Sequence, residues 1–213
     1  MYMSKEKLSN WEKSKSLFNR AGVAAIDNVP KQVIDFLNTK VDKNNSNNKN
    51  LAGHLKEEYF YTNIPNFVNN FVCSQIINSP ILQARFKEIK VLTENKPVII
   101  HDLWINFQKK YEFNPLHDHS GLFSFIIFLK IPYDYEKELK YFKNTSFDYN
   151  VNSNLTFVFP AIDSEIFQLN IQVDKSFENK MLMFPAKLQH MVYPFYTSDE
   201  YRITVSGNIR FLV

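Results

Sequence analysis

The spacing of apolar residues changes character near residue 96. Before that point it is helical. Asn28, with Pro30 two residues on, opens a predicted helix through Val33, Ile34 and Leu37, because proline fits the first turn of a helix. A second helix is predicted from Pro65 to Ile77, with Phe67, Phe71 and Val72 among its apolar positions, and a third from Ile81 to Ile89. Between the first two, the run KNNSNNKN from Lys43 to Asn50 is polar and low in complexity and reads as an exposed loop. Residues 1–95 are thus expected to be helical and irregular, without an internal repeat.

From Pro97 onward the pattern is that of strands. Predicted segments are Val98 to Gln108, Leu122 to Leu129, Leu155 to Phe159, Ile166 to Val173, Met181 to Phe184, His190 to Tyr193 and Tyr201 to Phe211. Two alternate cleanly. Phe167, Leu169, Ile171 and Val173 share one face against Gln168, Asn170 and Gln172. In the last strand Ile203, Val205, Ile209 and Phe211 oppose Arg202, Thr204, Ser206, Asn208 and Arg210. That polar face suits either solvent or the lining of a cavity, with the upstream helices covering the apolar side. Seven short strands after a helical segment predict an α+β, mainly β, fold: a double-sheet jelly roll with supporting N-terminal helices.

Length fits one domain over residues 1–213, with 1–95 as helical support and 96–213 as the jelly-roll core. Twenty phenylalanines and 45% hydrophobic residues are enough for a packed interior. Only four glycines are present, so Asn, Asp and Pro are expected to turn the chain more often than tight glycine hairpins do.

The net charge of +3 is small, and the lysines are scattered rather than gathered in a stripe, which argues against a nucleic-acid partner. Cys73 is the only cysteine, so no intrachain disulfide forms and a reducing compartment is expected. The start, MYMSKEKLSN, lacks the apolar segment of a signal peptide, and the longest apolar run, Leu122 to Leu129, is too short for a bilayer. A soluble, cytoplasmic protein is the expectation.

Candidate chemistry gathers in the second half. FNPLHDHSG carries His117 and His119, FPAKLQHMVYP carries His190, and YRITVSGNIRF carries Arg202. On a strand, residues i and i+2 point the same way, so His117 and His119 face one point and Asp118 faces away. Asp118 becomes a ligand only if the strand ends before His117. Imidazole suits Fe, Zn, Cu and Ni, and a third imidazole from a distant strand leaves positions open for substrate. Arg202 is always charged and pairs bidentately with carboxylates; Thr204 and Ser206 share its face and offer hydroxyls to the same group.

The stretches WINFQKKYEFNPLHDHSGLFSFIIFL and KMLMFPAKLQHMVYPFYTSDEYRITVSGNIRF, with the earlier NKNLAGHL, resemble the small 2-oxoglutarate/Fe(II) oxygenases of bacteria and tailed bacterial viruses. The resemblance covers about half the chain, from Asp102 to Phe211. It implies a double-stranded β-helix, with Fe(II), 2-oxoglutarate and O2 used for hydroxylation and with release of succinate and CO2. It further implies that His117 and His190 are iron ligands and that Arg202 grips the distal carboxylate of 2-oxoglutarate. It places the protein in a host cytoplasm if a virus encodes it.

Two departures stand out. Most of the superfamily has His-x-Asp, whereas His119 stands here in the acid's place, leaving the metal both positive charges. Related hydroxylases often hold 2-oxoglutarate with a tyrosine on the strand after the metal motif, and the matching position here is Phe128, so Thr204, Ser206 or Ser124 is expected to supply that bond. Trp104 and Asn106 match the family in kind, with Asn106 a further candidate for the cofactor pocket and Phe123 to Phe128 its dry wall.

The residues alone also fit a three-histidine cupin-type metallo-enzyme without 2-oxoglutarate, or a non-catalytic jelly-roll module. The resemblance favours a peptidyl substrate, prolyl first, with small metabolites and nucleobases open. Lys43 to Asn50 and Tyr133 to Asn154 are the expected rim of the site. Nothing in the sequence speaks to oligomeric state.

Overall fold

A computed structural model of the chain describes residues 8–46, 52–89, 97–142, 150–160 and 165–212. Residues 47–50 of the expected Lys43 to Asn50 loop, and 143–149 of the expected rim, lie outside the described residues. The elements run α1 (Asn10–Phe18), β1 (Ala24–Ile26), α2 (Lys31–Thr39), β2 (Glu57–Phe60), α3 (Asn66–Asn78) and α4 (Pro80–Ile89). They continue with β3 (Val98–Gln108), β4 (Asn114–His117), β5 (Phe123–Lys130), α5 (Tyr135–Lys140), β6 (Leu155–Pro160) and β7 (Ile166–Ile171). β8 (Met181–Pro185), β9 (Gln189–Val192) and β10 (Arg202–Phe211) complete the order.

Among the described residues ten antiparallel strands form two sheets, one in the order β1-β8-β5-β10-β3-β2 and the other β4-β9-β6-β7. This is the expected jelly roll, or double-stranded β-helix. All seven predicted strands are present. The expectation for residues 1–95 needs correction, because β1 and β2 lie within them and supply the two edges of the larger sheet. Both are too short for their periodicity to register against the surrounding helical pattern. Pro30, not Asn28, is the N-cap of α2, and its carbonyl accepts from the amides of Val33 and Ile34.

Strand parity decides what each face of the larger sheet touches. Phe123, Phe125 and Ile127 of β5, Met181 and Met183 of β8, and Leu103 and Ile105 of β3 pack against the helices. There they meet Val33 and Leu37 of α2, Leu82 of α4, and the α3 stripe Val68, Val72 and Ile76. The α3 stripe repeats every fourth residue, which puts it on one side of the helix. Each such fully buried aliphatic side chain contributes about 1.5–3 kcal/mol. The opposite parity, Ile126, Phe128, Leu182 and Phe184, faces Leu155, Phe157 and Ile171 of the smaller sheet.

In β3, the register with β10 passes from Asp102 to Ile100 and skips His101. A bulge of this kind inverts parity along the strand. Ile100 and Leu103 therefore both face the helices, and Trp104, Asn106 and Gln108 all face between the sheets. Gly207 in β10 is required by crowding: a Cβ there would stand 2.6 Å from the Phe125 ring and 2.7 Å from the Asp102 carbonyl. None of the described helices is long and apolar enough to cross a membrane.

Candidate metal centre

β4 and β9 pair antiparallel with His117 opposite His190, so their rings are brought together by backbone register alone. The ring centroids are 4.3 Å apart. His119 completes a triangle at 4.9 Å from His117 and 5.0 Å from His190. One ligand nitrogen from each of the three lies within 4.8 Å of the others.

Local bonds set which nitrogen faces inward. His117 Nδ1 lies 2.7 Å from the Pro115 carbonyl and His190 Nδ1 lies 3.0 Å from the Leu188 carbonyl. A carbonyl only accepts, so both Nδ1 atoms carry the hydrogen and both Nε2 lone pairs are free. Burial pushes all three imidazoles toward the neutral form. His119 falls to about 4, through desolvation and then His117, and His190 to about 3, again through desolvation first. His117 is lowered by burial against the opposing pull of its Pro115 bond. Neutral imidazole is the form that binds metal.

The expectation of a wholly strand-borne H-x-H needs correction. β4 ends at His117, and His119 lies beyond it. A backbone bond from His119 N–H to the Ala186 carbonyl, 2.8 Å, and packing of its ring 5.7 Å from Trp104 hold it in place. Asp118 turns outward to Lys187 at 3.0 Å and is no part of the cluster.

The triad opens onto a cleft that reaches solvent and is lined by Trp104, Asn106, Ser124, Arg202, Thr204 and Ser206 among others. Every predicted site residue therefore borders one space. Arg202 is 4% exposed. Its guanidinium donates to Gln108 Oε1 from Nε (2.9 Å) and from Nη2, and from Nη1 to Tyr133 Oη (3.3 Å) and the Ser153 carbonyl (3.1 Å). All these acceptors are neutral, and among the described residues no carboxylate pairs with this buried cation. A fifth N–H remains unused.

Asn106 Nδ2 donates to Thr204 Oγ1 at 3.2 Å and Ser206 Oγ at 3.4 Å, which leaves both hydroxyl hydrogens to point elsewhere. Ser124 lines the cleft, but its hydroxyl donates to Asn208 Oδ1 at 2.8 Å, so it is the weakest of the expected hydroxyl donors. Sequence reasoning missed Gln108, Tyr133 and Ser153 around Arg202. Gln108 was within reach, since it lies two residues from Asn106 on the same face. Tyr133 follows β5 outside any strand, and Ser153 offers its carbonyl from a turn with φ 60°; neither position carries a periodic signal.

The donor set fits the groups expected from the sequence. Three neutral imidazoles suit a divalent first-row metal such as iron. A buried guanidinium without an anion, beside two free hydroxyls, suits a dicarboxylate.

A family model for 2OG-Fe(II) oxygenases matches residues 102–208, a span that holds all three histidines and Arg202. A search of curated proteins found no match. Among solved structures, a Pseudomonas putida prolyl-4-hydroxylase is similar with TM-score 0.50 and 8% identity, covering 95% of this chain and 100% of that one; this supports the fold. A Burkholderia pseudomallei oxidoreductase of the 2OG-Fe(II) oxygenase family gives TM-score 0.48 and 11% identity, covering 98% and 93%. The 2OG complex of a viral collagen prolyl hydroxylase from Paramecium Bursaria Chlorella virus-1 gives 0.46 and 13%, covering 89% and 96%.

Proposed function

The chain belongs to the 2OG-Fe(II) oxygenases, and from that premise we propose that its cleft hydroxylates a peptidyl residue, prolyl first, with His117, His119 and His190 as the iron ligands. Fe(II) and 2-oxoglutarate, when bound, supply the activation of O2 and release succinate and CO2. Arg202 takes the distal carboxylate of 2-oxoglutarate, assisted by the hydroxyls of Thr204 and Ser206. Tyr133, Gln108 and Ser153 position Arg202. Ile126, Phe128 and Phe184 wall the cleft against water, which protects the oxidant from side reactions. Residues 1–95 brace a catalytic core that runs from 96 onward, the two forming one domain through the helix-backed core.

The observation that carries this reading is the convergence of three neutral imidazoles and an unpaired buried guanidinium on one cleft. The peptidyl substrate is supported by the fold shared with a prolyl-4-hydroxylase. The test is anaerobic addition of Fe(II) and 2-oxoglutarate, expected to give a weak visible charge-transfer band. Addition of O2 is then expected to release succinate, stimulated by prolyl peptides more than by nucleosides or free amino acids. Failure of 2-oxoglutarate to raise the melting temperature of either the metal-free or the metal-loaded protein defeats the reading.

A further inference from the structure

Two buried asparagines meet hydroxyls along the cleft, and they meet them in opposite senses. Asn208 of β10 stands opposite Ser124 of β5 in register, and its Oδ1 accepts the Ser124 hydroxyl hydrogen at 2.8 Å. Its Nδ2 donates to Asp102 Oδ2 at 3.4 Å, which fixes the amide in that sense. Asn106 of β3 stands opposite Thr204 of β10 and presents nitrogen instead, with Nδ2 donating to Thr204 Oγ1 at 3.2 Å and to Ser206 Oγ at 3.4 Å. Asn106 is 5% exposed and Asn208 7%, so the two amides are equally sheltered from water.

The sense matters because a hydroxyl has one hydrogen, while an amide carries donors on one arm and an acceptor on the other. An amide oxygen takes that hydrogen and leaves only lone pairs for a ligand. An amide nitrogen occupies a lone pair and leaves the hydrogen. Ser124 is therefore spent as a donor, whereas Thr204 and Ser206 keep their hydrogens beside Arg202, in the same cleft. In a buried chain of this kind each bond polarises the next, so donation from the amide strengthens donation by the hydroxyls. Turned about, the Asn106 amide would draw both hydroxyl hydrogens to its oxygen, and a carboxylate beside Arg202 would meet lone pairs.

We propose that Asn106 is the positioning residue of the co-substrate pocket: its amide nitrogen holds Thr204 and Ser206 as hydrogen donors to the distal carboxylate of 2-oxoglutarate, and Asn208 withholds Ser124 from it. The proposal rests on the oxygenase reading and deepens it, by naming which hydroxyls read the carboxylate and what orients them. Asn106 acts through the two hydroxyls. Their hydrogens, with the unused N–H of Arg202, supply the donors that two carboxylate oxygens require.

The test is calorimetric titration of full-length protein, loaded anaerobically with Fe(II), with 2-oxoglutarate. Asn106→Leu keeps the side-chain shape and removes the donor; it is expected to bind 2-oxoglutarate about threefold more weakly or worse, at unchanged iron content. Asn208→Leu, an equally buried change on the neighbouring strand, is expected to leave the affinity within about twofold. In a Thr204→Val, Ser206→Ala background the hydroxyls through which Asn106 acts are gone, so adding Asn106→Leu is expected to cost less than about twofold more. Asn106→Ala serves the same purpose should the leucine variant fold poorly. A loss below about threefold in Asn106→Leu, an equal loss in Asn208→Leu, or an undiminished loss in the background lacking both hydroxyls overturns the proposal. Absence of 2-oxoglutarate binding by the wild-type protein defeats the oxygenase reading itself, and the proposal with it.

Discussion

At the Arg202 end of the cleft a buried cation is held by three neutral groups, Gln108, Tyr133 and Ser153, while at the Asn114 end the side-chain oxygens of Asn106 and Asn114 are buried acceptors without a hydrogen-bond partner among the described residues. Burying either arrangement is costly on its own. The difference is instructive because one end keeps a spare donor and the other spare acceptors, and the imidazole triad borders the same cleft. Polar groups that merely stabilised the fold would be expected to satisfy one another. Here Glu58 is the register partner of Asn106, and Asn106 is that of Thr204, so the strands bring the two ends close.

The largest expected effect comes from removing the cation. Arg202→Ala is expected to weaken 2-oxoglutarate binding by about 2–4 kcal/mol, or roughly 30- to 1000-fold. Metal content stays unchanged, since no ligand is touched. Equal loss of metal and 2-oxoglutarate would merge the two functions separated here.

The metal centre and the acceptor end also respond to acid in opposite directions. The histidines have folded values below the ordinary 6.5, about 4 for His119 and about 3 for His190. Between those values and 6.5 the unfolded chain binds more protons, so their contribution to stability is lost as the pH falls through that window. Glu58 has a folded value of about 7 against an ordinary 4.5, so its contribution is lost as the pH rises from 4.5 to 7. Each contribution is on the order of a few kcal/mol. Urea unfolding of metal-free protein from pH 4 to 7 is expected to show a shallower rise in His119→Gln and a steeper one in Glu58→Gln. Parallel curves for all three proteins contradict these assignments.

Tyr133→Phe removes one hydrogen bond that Arg202 donates and is expected to weaken 2-oxoglutarate binding by about 0.5–1.5 kcal/mol, a factor of roughly 2–10. Asp118→Asn breaks an exposed pair with Lys187 and is expected to cost under about 1 kcal/mol, with unchanged metal content.

How much of this was legible beforehand follows from parity. The clean alternation of β10 placed Arg202, Thr204 and Ser206 on one face, and they do line the cleft. The spacing of His117, His119 and His190 brought the triad together, although His119 arrives past the strand end by way of an Ala186 bond. The inward face of β3 was only partly legible, because a bulge at His101 breaks a period that sequence reading takes as constant. Tyr133 was missed because the resemblance pointed to Phe128, which stands opposite Thr204 in register and carries no hydroxyl. The hydroxyl against Arg202 comes instead from beyond the strand. Glu58 and Asn114 were missed because β2 and β4 are four residues each, too short to betray a face. Of the three readings the residues left open, family membership selects the 2-oxoglutarate-dependent enzyme.

The central claim is that three imidazoles, and no carboxylate, hold the metal. Anaerobic Fe(II) titration of His119→Ala beside Asp118→Ala tests it most directly. The account predicts that His119→Ala loses stoichiometric iron binding while Asp118→Ala keeps it at wild-type affinity. Iron retained by His119→Ala and lost from Asp118→Ala would contradict it.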